Sequence, residues 1–163
     1  MKLLTVVGAA LLVGTLAIVC RADTPAVTNL DKALTLASKQ GKLLFVQSGR
    51  PTCGNCQALR DYIAAGQVEL PTNLFVYADV NIDERRTMQS FGKHFKVEGN
   101  TLPFVVVADS DGKQLAARSG FGTPAEFQEL IKGAMKKAKK STALKKATVD
   151  KPAATNAVPA AAQ

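Results

Sequence analysis

KLLFVQSGRPTCGNCQALRDYIAAG, residues 42–66, runs from an apolar stretch through a turn and a C-x-x-C pair into a helical pattern. Residues 42–47 are short and almost wholly apolar, as expected of a strand covered on both faces of a central sheet. Gly49 and Pro51 mark residues 48–52 as a turn. Residues 57–65 then read as a helix, with Leu59, Tyr62 and Ile63 on one side and Gly66 at its end. The cysteines thus sit where a buried strand hands over to a helix N-terminus. Unpaired amides and the positive end of the helix dipole stabilise an anion there.

Working outward, residues 28–40 carry Leu30, Ala33, Leu34 and Ala37 at helical spacing, and Gly41 supplies the stop. Residues 73–80 (NLFVYADV) form a second apolar strand. Asp83 opens a helix whose apolar face is Met88, Phe91 and Phe95. A third strand spans residues 103–108, and the turn DSDG at 109–112 makes it an antiparallel hairpin with residues 113–119. Thr123, Pro124 and Glu126 read as a capping box with proline in the first turn. The helix they open places Phe127, Leu130, Ile131, Ala134, Met135 and Ala138 on one face. The order α-β-α-β-α-β-β-α, with helix-joined parallel strands and then a hairpin, gives a mixed α/β sandwich.

The chain has 163 residues and a net charge of +8, which allows one domain and raises the possibility of nucleic-acid binding. The charge is unevenly placed. Residues 23–131 hold 11 basic and 12 acidic side chains, while residues 132–163 hold eight lysines against Asp150. The globular body is therefore no basic nucleic-acid module. Residues 1–22 combine Lys2, an apolar run at 3–19 and small residues at Cys20 and Ala22, which reads as an export signal cleaved before Asp23. An uncleaved anchor is the main rival, since the run has the lower length of a spanning helix. A lipoprotein signal on Cys20 is a third reading, weakened by Val19 before it. Cleavage leaves Cys53 and Cys56 as the only cysteines, a domain at residues 23–140, and a Lys/Ala/Pro-rich tail at 141–163. With little to bury, the tail is expected to be disordered. It is a solubilising extension or a polybasic contact for anionic lipid or cell-wall polymer.

At the helix start, Cys53 is expected to be the more exposed and more acidic thiol, below the free value of about 8.5. Cys56, one turn inward, is placed to attack a mixed disulfide formed at Cys53. Gly54 and Asn55 permit the tight turn between them. The rival readings are an inert disulfide staple, which constrains little over so short a loop, and a metal site. A closed zinc site needs four ligands, and only His94 could join the two cysteines. Copper(I) held by two thiolates and His94 stays open.

The strand-turn-C-G-N-C-helix unit, the element order, and Thr101-Leu102-Pro103 opening the third strand together resemble the thioredoxin-like family over roughly residues 30–137. Asp79-Val80-Asn81-Ile82-Asp83 is similar to the end of that family's central strand, and Phe95-Lys96-Val97-Glu98-Gly99 to its approach to a cis-proline. The resemblance implies a thioredoxin-like three-layer α/β/α sandwich with a mixed central sheet. It also implies a cis Pro103 packed beside the cysteines, with the Leu102 backbone offered to an extended substrate.

The departures are specific. Thr52 stands where thioredoxin has Trp, Gly-Asn replaces Gly-Pro, Gln47 replaces a buried acid, and Asp79 replaces a lysine. Asp79 is the residue able to relay a proton from the opposite strand. The expected function is an exported, periplasmic or extracellular thiol-disulfide oxidoreductase, monomeric and needing no organic cofactor. Its partners are protein thiols and disulfides, and a membrane redox protein that supplies or removes electrons. The alternative is a copper(I)-binding or redox-inactive peptide-docking module.

Overall fold

The computed structural model describes residues 25–149, with side chains described through residue 141. The expected signal at residues 1–22, with its alternatives of anchor and lipidated Cys20, and the tail beyond Val149 lie outside the described residues. Among those described, no helix is long and apolar enough to cross a membrane.

Helix α1 (Leu30–Gln40) starts where Asn29 accepts the Lys32 amide at 2.9 Å and stops at Gly41, whose φ of 62° is readily available only to glycine. Strand β1 (Leu43–Gly49) leads to helix α2 (Gly54–Ala64), strand β2 (Phe75–Asn81) and helix α3 (Arg85–His94). Strands β3 (Phe104–Ala108) and β4 (Gln114–Ser119) form the expected hairpin, its turn closed by Asp109, which accepts the amides of Asp111 and Lys113. Helix α4 (Pro124–Val149) begins at the capping box, where Glu126 accepts the Thr123 amide at 2.7 Å and Thr123 Oγ1 accepts the Glu126 amide. The Thr123 amide, and its hydroxyl at 3.1 Å, donate to the Glu126 carboxylate and hold that carboxyl below its ordinary pKa.

The sheet order is β2-β1-β3-β4. Only β1 and β2 are parallel, and β3 runs antiparallel to both β1 and β4. The reading of helix-joined strands as parallel holds for β1 and β2 and is corrected for β3. The return from α3 passes through a loop that turns at Gly99 and enters β3 from the opposite end. A second feature had no sequence signal. Val27 bridges to β2 alongside Ala78, exchanging hydrogen bonds with Tyr77 and Asp79 and covering that sheet edge.

Alternation along the strands divides the core into two layers. Leu44, Val46, Val76, Ala78, Val80 and Val106 pack with α1 and α3. Phe45, Phe75, Tyr77, Val105 and Val107 pack with Leu59 of α2 and with Phe127, Ile131 and Ala134 of α4. Three layers result, helices on both sides of a buried sheet. In α3 the buried stripe is Thr87 and Phe91, continued by Phe95, whereas Met88 is 63% exposed. Three- and four-residue spacings are both helical, and the sequence did not choose between them. Helix α4 continues nine residues beyond Lys140. Residues 141–149, expected to belong to a disordered tail, lie in this helix, and Ala, Leu and Lys favour that conformation.

Candidate redox site

Strand β1 delivers the chain to Gly49 at the end of the buried sheet, and α2 starts immediately after Cys53. The reason is local. Cys53 is the N-cap, with extended backbone (φ −82°, ψ 106°), and its Sγ accepts the Cys56 amide at 3.2 Å. A sulfur in that position receives an N–H and faces the positive end of the helix, so a thiolate there is stabilised. Cys53 is half-buried and Cys56 fully buried. The two form a disulfide, their Cα atoms 5.2 Å apart.

Gly49 makes room for this pair. A Cβ at residue 49 would stand 2.5 Å from Cys56 Sγ, so the strand can run against the sulfur only because no side chain intervenes. The sequence marked Gly49 as part of a turn, whereas it is the last residue of β1.

The Leu102–Pro103 peptide bond is cis. Pro103 is buried and Leu102 partly so, and the Pro103 carbonyl accepts the Gly120 amide at 3.0 Å. Asn55 Nδ2 reaches the Leu102 carbonyl at 3.5 Å. The second residue between the cysteines is therefore also a tether from α2 to the Pro103 loop, a role that its composition as a turn-former did not reveal.

Gln47 and Asp79 stand opposite each other in register on β1 and β2, both toward α2. Gln47 is fully buried. Its Nε2 donates to the Cys56 carbonyl at 2.8 Å, and its Oε1 accepts the Tyr77 hydroxyl at 3.3 Å. Burial, reinforced by the Asp79 carboxylate, pushes the Tyr77 phenol above its ordinary pKa and keeps it a neutral donor. Asp79 does not hydrogen-bond to either cysteine. Both its oxygens take the Arg60 guanidinium, at 2.6 and 3.4 Å, in an ion pair whose side chains are 27% (Arg60) and 18% (Asp79) exposed. The hydrogen bond to Asp79 raises the Arg60 pKa against a smaller opposing effect of burial. Arg60 lies one turn beyond Cys56, and this i+4 spacing was the available sequence clue. An open groove of about 450 Å³ borders the site, lined by Gly49, Arg50, Gln57, Arg60, Asp79 and Glu84 among others.

His94 stands exposed at the end of α3 with its ring 6.1 Å from that of Phe95. Among the described residues no three of His, Cys, Asp and Glu come together in a metal-holding group. The three-ligand copper(I) set of Cys53, Cys56 and His94 is thus not assembled.

The arrangement of helices and strands matches solved thioredoxins. A mutant thioredoxin from Halobacterium salinarum superposes with a TM-score of 0.53 at 17% identity, over 69% of this chain and 91% of that one. The fold is thioredoxin-like. A thioredoxin-like protein from Clostridium perfringens gives 0.52 at 16% identity, covering 74% and 90% of the two chains. Fasciola hepatica thioredoxin gives 0.51 at 22%, covering 66% and 95%. No protein-family model and no curated protein sequence matches the chain. A thioredoxin-like fold carrying a C-x-x-C disulfide supports thiol-disulfide oxidoreductase chemistry in general terms.

Proposed function

We propose that the protein is an exported thiol-disulfide oxidoreductase acting on protein thiols and disulfides. The observation that carries this reading is Cys53 at the N-cap of α2, its sulfur receiving an amide and bonded to the buried Cys56.

In the reducing direction, the Cys53 thiolate attacks one sulfur of a substrate disulfide. A Cys53–substrate bond forms, and the other substrate sulfur leaves as a thiolate and takes up a proton. Cys56 then loses its proton and attacks Cys53 Sγ. This releases the second substrate thiolate and leaves the Cys53–Cys56 disulfide, so two electrons have passed from protein to substrate. The oxidising direction is the same sequence reversed. Asp79 is the proposed acceptor of the Cys56 proton, because it borders the groove at Gly49, against which the sulfur packs.

Leu102 and Pro103 form the proposed docking edge for an extended peptide, steadied by Asn55. Exposed Phe121, next to the Gly120 that bonds Pro103, offers apolar contact beside it. Regeneration falls to a membrane redox partner. The exposed Lys132, Lys136, Lys139 and Lys140 of α4 favour contact with an anionic lipid or wall surface. The protein is proposed to act as a monomer.

The decisive experiment is substrate trapping in the exporting cell. Cys56→Ser is expected to accumulate mixed disulfides and Cys53→Ser to accumulate few. Equal trapping by the two variants would contradict the assigned roles. Intact mass of the exported chain, expected to start at Asp23, checks the localisation.

A further inference from the structure

Gln47 is a fully buried polar side chain bonded to the cysteine turn, and its hydrogen bonds use both ends of the amide. Its Nε2–H holds the Cys56 carbonyl at 2.8 Å, and its Oε1 is fixed by the Tyr77 hydroxyl. A helical carbonyl has a second lone pair beyond the one used within the helix, and an amide N–H can occupy it at any working pH. An amide side chain cannot take up the thiol proton. The chain has thus placed a permanent donor, with no basic function, behind the resolving cysteine.

We propose that Gln47, oriented by Tyr77, is a positioning residue for the second step of exchange. It anchors the backbone of Cys56 so that the buried sulfur is held against Cys53, and the proton of Cys56 leaves on the groove side, away from residue 47. The inference rests on the exchange reading above and assigns to it a residue that acts through the backbone of Cys56.

The charged and titratable groups around position 47 are few. Helix α2 supplies Cys56 and Arg60, β2 supplies Tyr77 and Asp79, and β3 places only the apolar Val105 opposite it in register. A carboxyl group at position 47 can donate to the Cys56 carbonyl only while protonated, and once ionised it turns a bare oxygen toward it.

The test is Gln47→Glu, followed by single-turnover release of a preformed mixed disulfide at Cys53 across a pH series, each rate divided by the parent rate at that pH. Expected is a ratio near one at acid pH that falls about tenfold or more as the introduced carboxyl ionises, the loss of one good hydrogen bond. A ratio that rises on ionisation would make position 47 a site for a base, and a flat ratio would make it inert. Either overturns the proposal.

Gln47→Leu and Tyr77→Phe guard against a misfolded acidic variant. Both are expected to slow release at every pH, Leu more than Phe, while iodoacetamide labels Cys53 in the reduced proteins at the parent rate within about twofold. Parent-like release in the Leu variant, or an equal loss at both cysteines, also overturns the proposal. A final measurement needs no substrate. In a Cys53→Ser background, Gln47→Leu is expected to speed alkylation of Cys56 severalfold by freeing its turn, and an unchanged rate counts against Gln47. Absence of turnover in the parent would count against the exchange reading, whereas this labelling comparison judges Gln47 by itself.

Discussion

The two faces of the sheet bury similar amounts of chain and do different things. Toward α1 and α3, β1 presents Leu44 and Val46 to an aliphatic layer closed by Phe91 and Phe95. Toward α2 and α4, the same strand presents Phe45 and then Gln47, and its neighbour presents Tyr77 and then Asp79. On β1 and β2 the polar residues of this second face, Gln47, Tyr77 and Asp79, are each bonded toward α2 or to the residue that is. One strand, read alternately, thus supplies a support on one side and a site on the other. The support has one exception. Ser48, the next residue on the α1/α3 face, is fully buried, and its hydroxyl has no protein partner.

This contrast can be broken most forcefully at Leu44. Leu44→Ala should cost about 3 kcal/mol in urea unfolding, the usual price of an aliphatic cavity, and leave the iodoacetamide reactivity of reduced Cys53 within about twofold of the parent. A large change in that reactivity would mean that the faces are coupled. Gly49→Ala is the converse. Its Cβ would collide with Cys56 Sγ, and we expect a loss of about 2 kcal/mol together with a marked loss of disulfide turnover. Stability lost with turnover intact would show that the sulfur moves aside freely.

Asp79→Asn should cost about 1 kcal/mol or less, since the Arg60 pair is partly screened by solvent. Arg60 has a raised folded pKa, so its share of this stability is complete at neutral pH and is lost only as pH rises through that value, far into the alkaline range. A pH-rate profile for release that matches the parent would remove Asp79 as proton acceptor. Ser48→Ala should be neutral or stabilising by up to about 1 kcal/mol, because the hydroxyl it removes has no protein partner.

The smallest effect is expected at the exposed Glu126. Its folded pKa is depressed, so its contribution is present above the unfolded pKa and lost as pH falls through the folded one. The difference in thermal midpoint between parent and Glu126→Gln should therefore shrink on acidification, and a difference that grows would contradict the capping role.

Much of this was readable from residue order. Gly41 as a helix stop, the DSDG hairpin, the Thr123–Glu126 box and the buried character of β1 are local patterns, and local patterns are what a sequence displays. The cysteine pair at a helix start was readable for the same reason. Met88 was misplaced because adjacent helical spacings differ by one residue and the choice belongs to the sheet beneath. Gln47 and Asp79 were visible only as departures from a resembling family, without partners.

The sequence by itself determined where strands and helices form, which face of most is apolar, and that a thiol pair caps a helix, since each depends on residues within a few positions. Only the tertiary structure decided the direction of β3, the pairing of Val27 with β2, the contact of Gly49 with Cys56 Sγ, and the ties of Gln47 to Cys56 and Arg60 to Asp79. The reason is physical. Those contacts join residues separated along the chain by 7 to dozens of positions, and they exist only after hydrophobic burial has brought the strand ends and the first turn of α2 together.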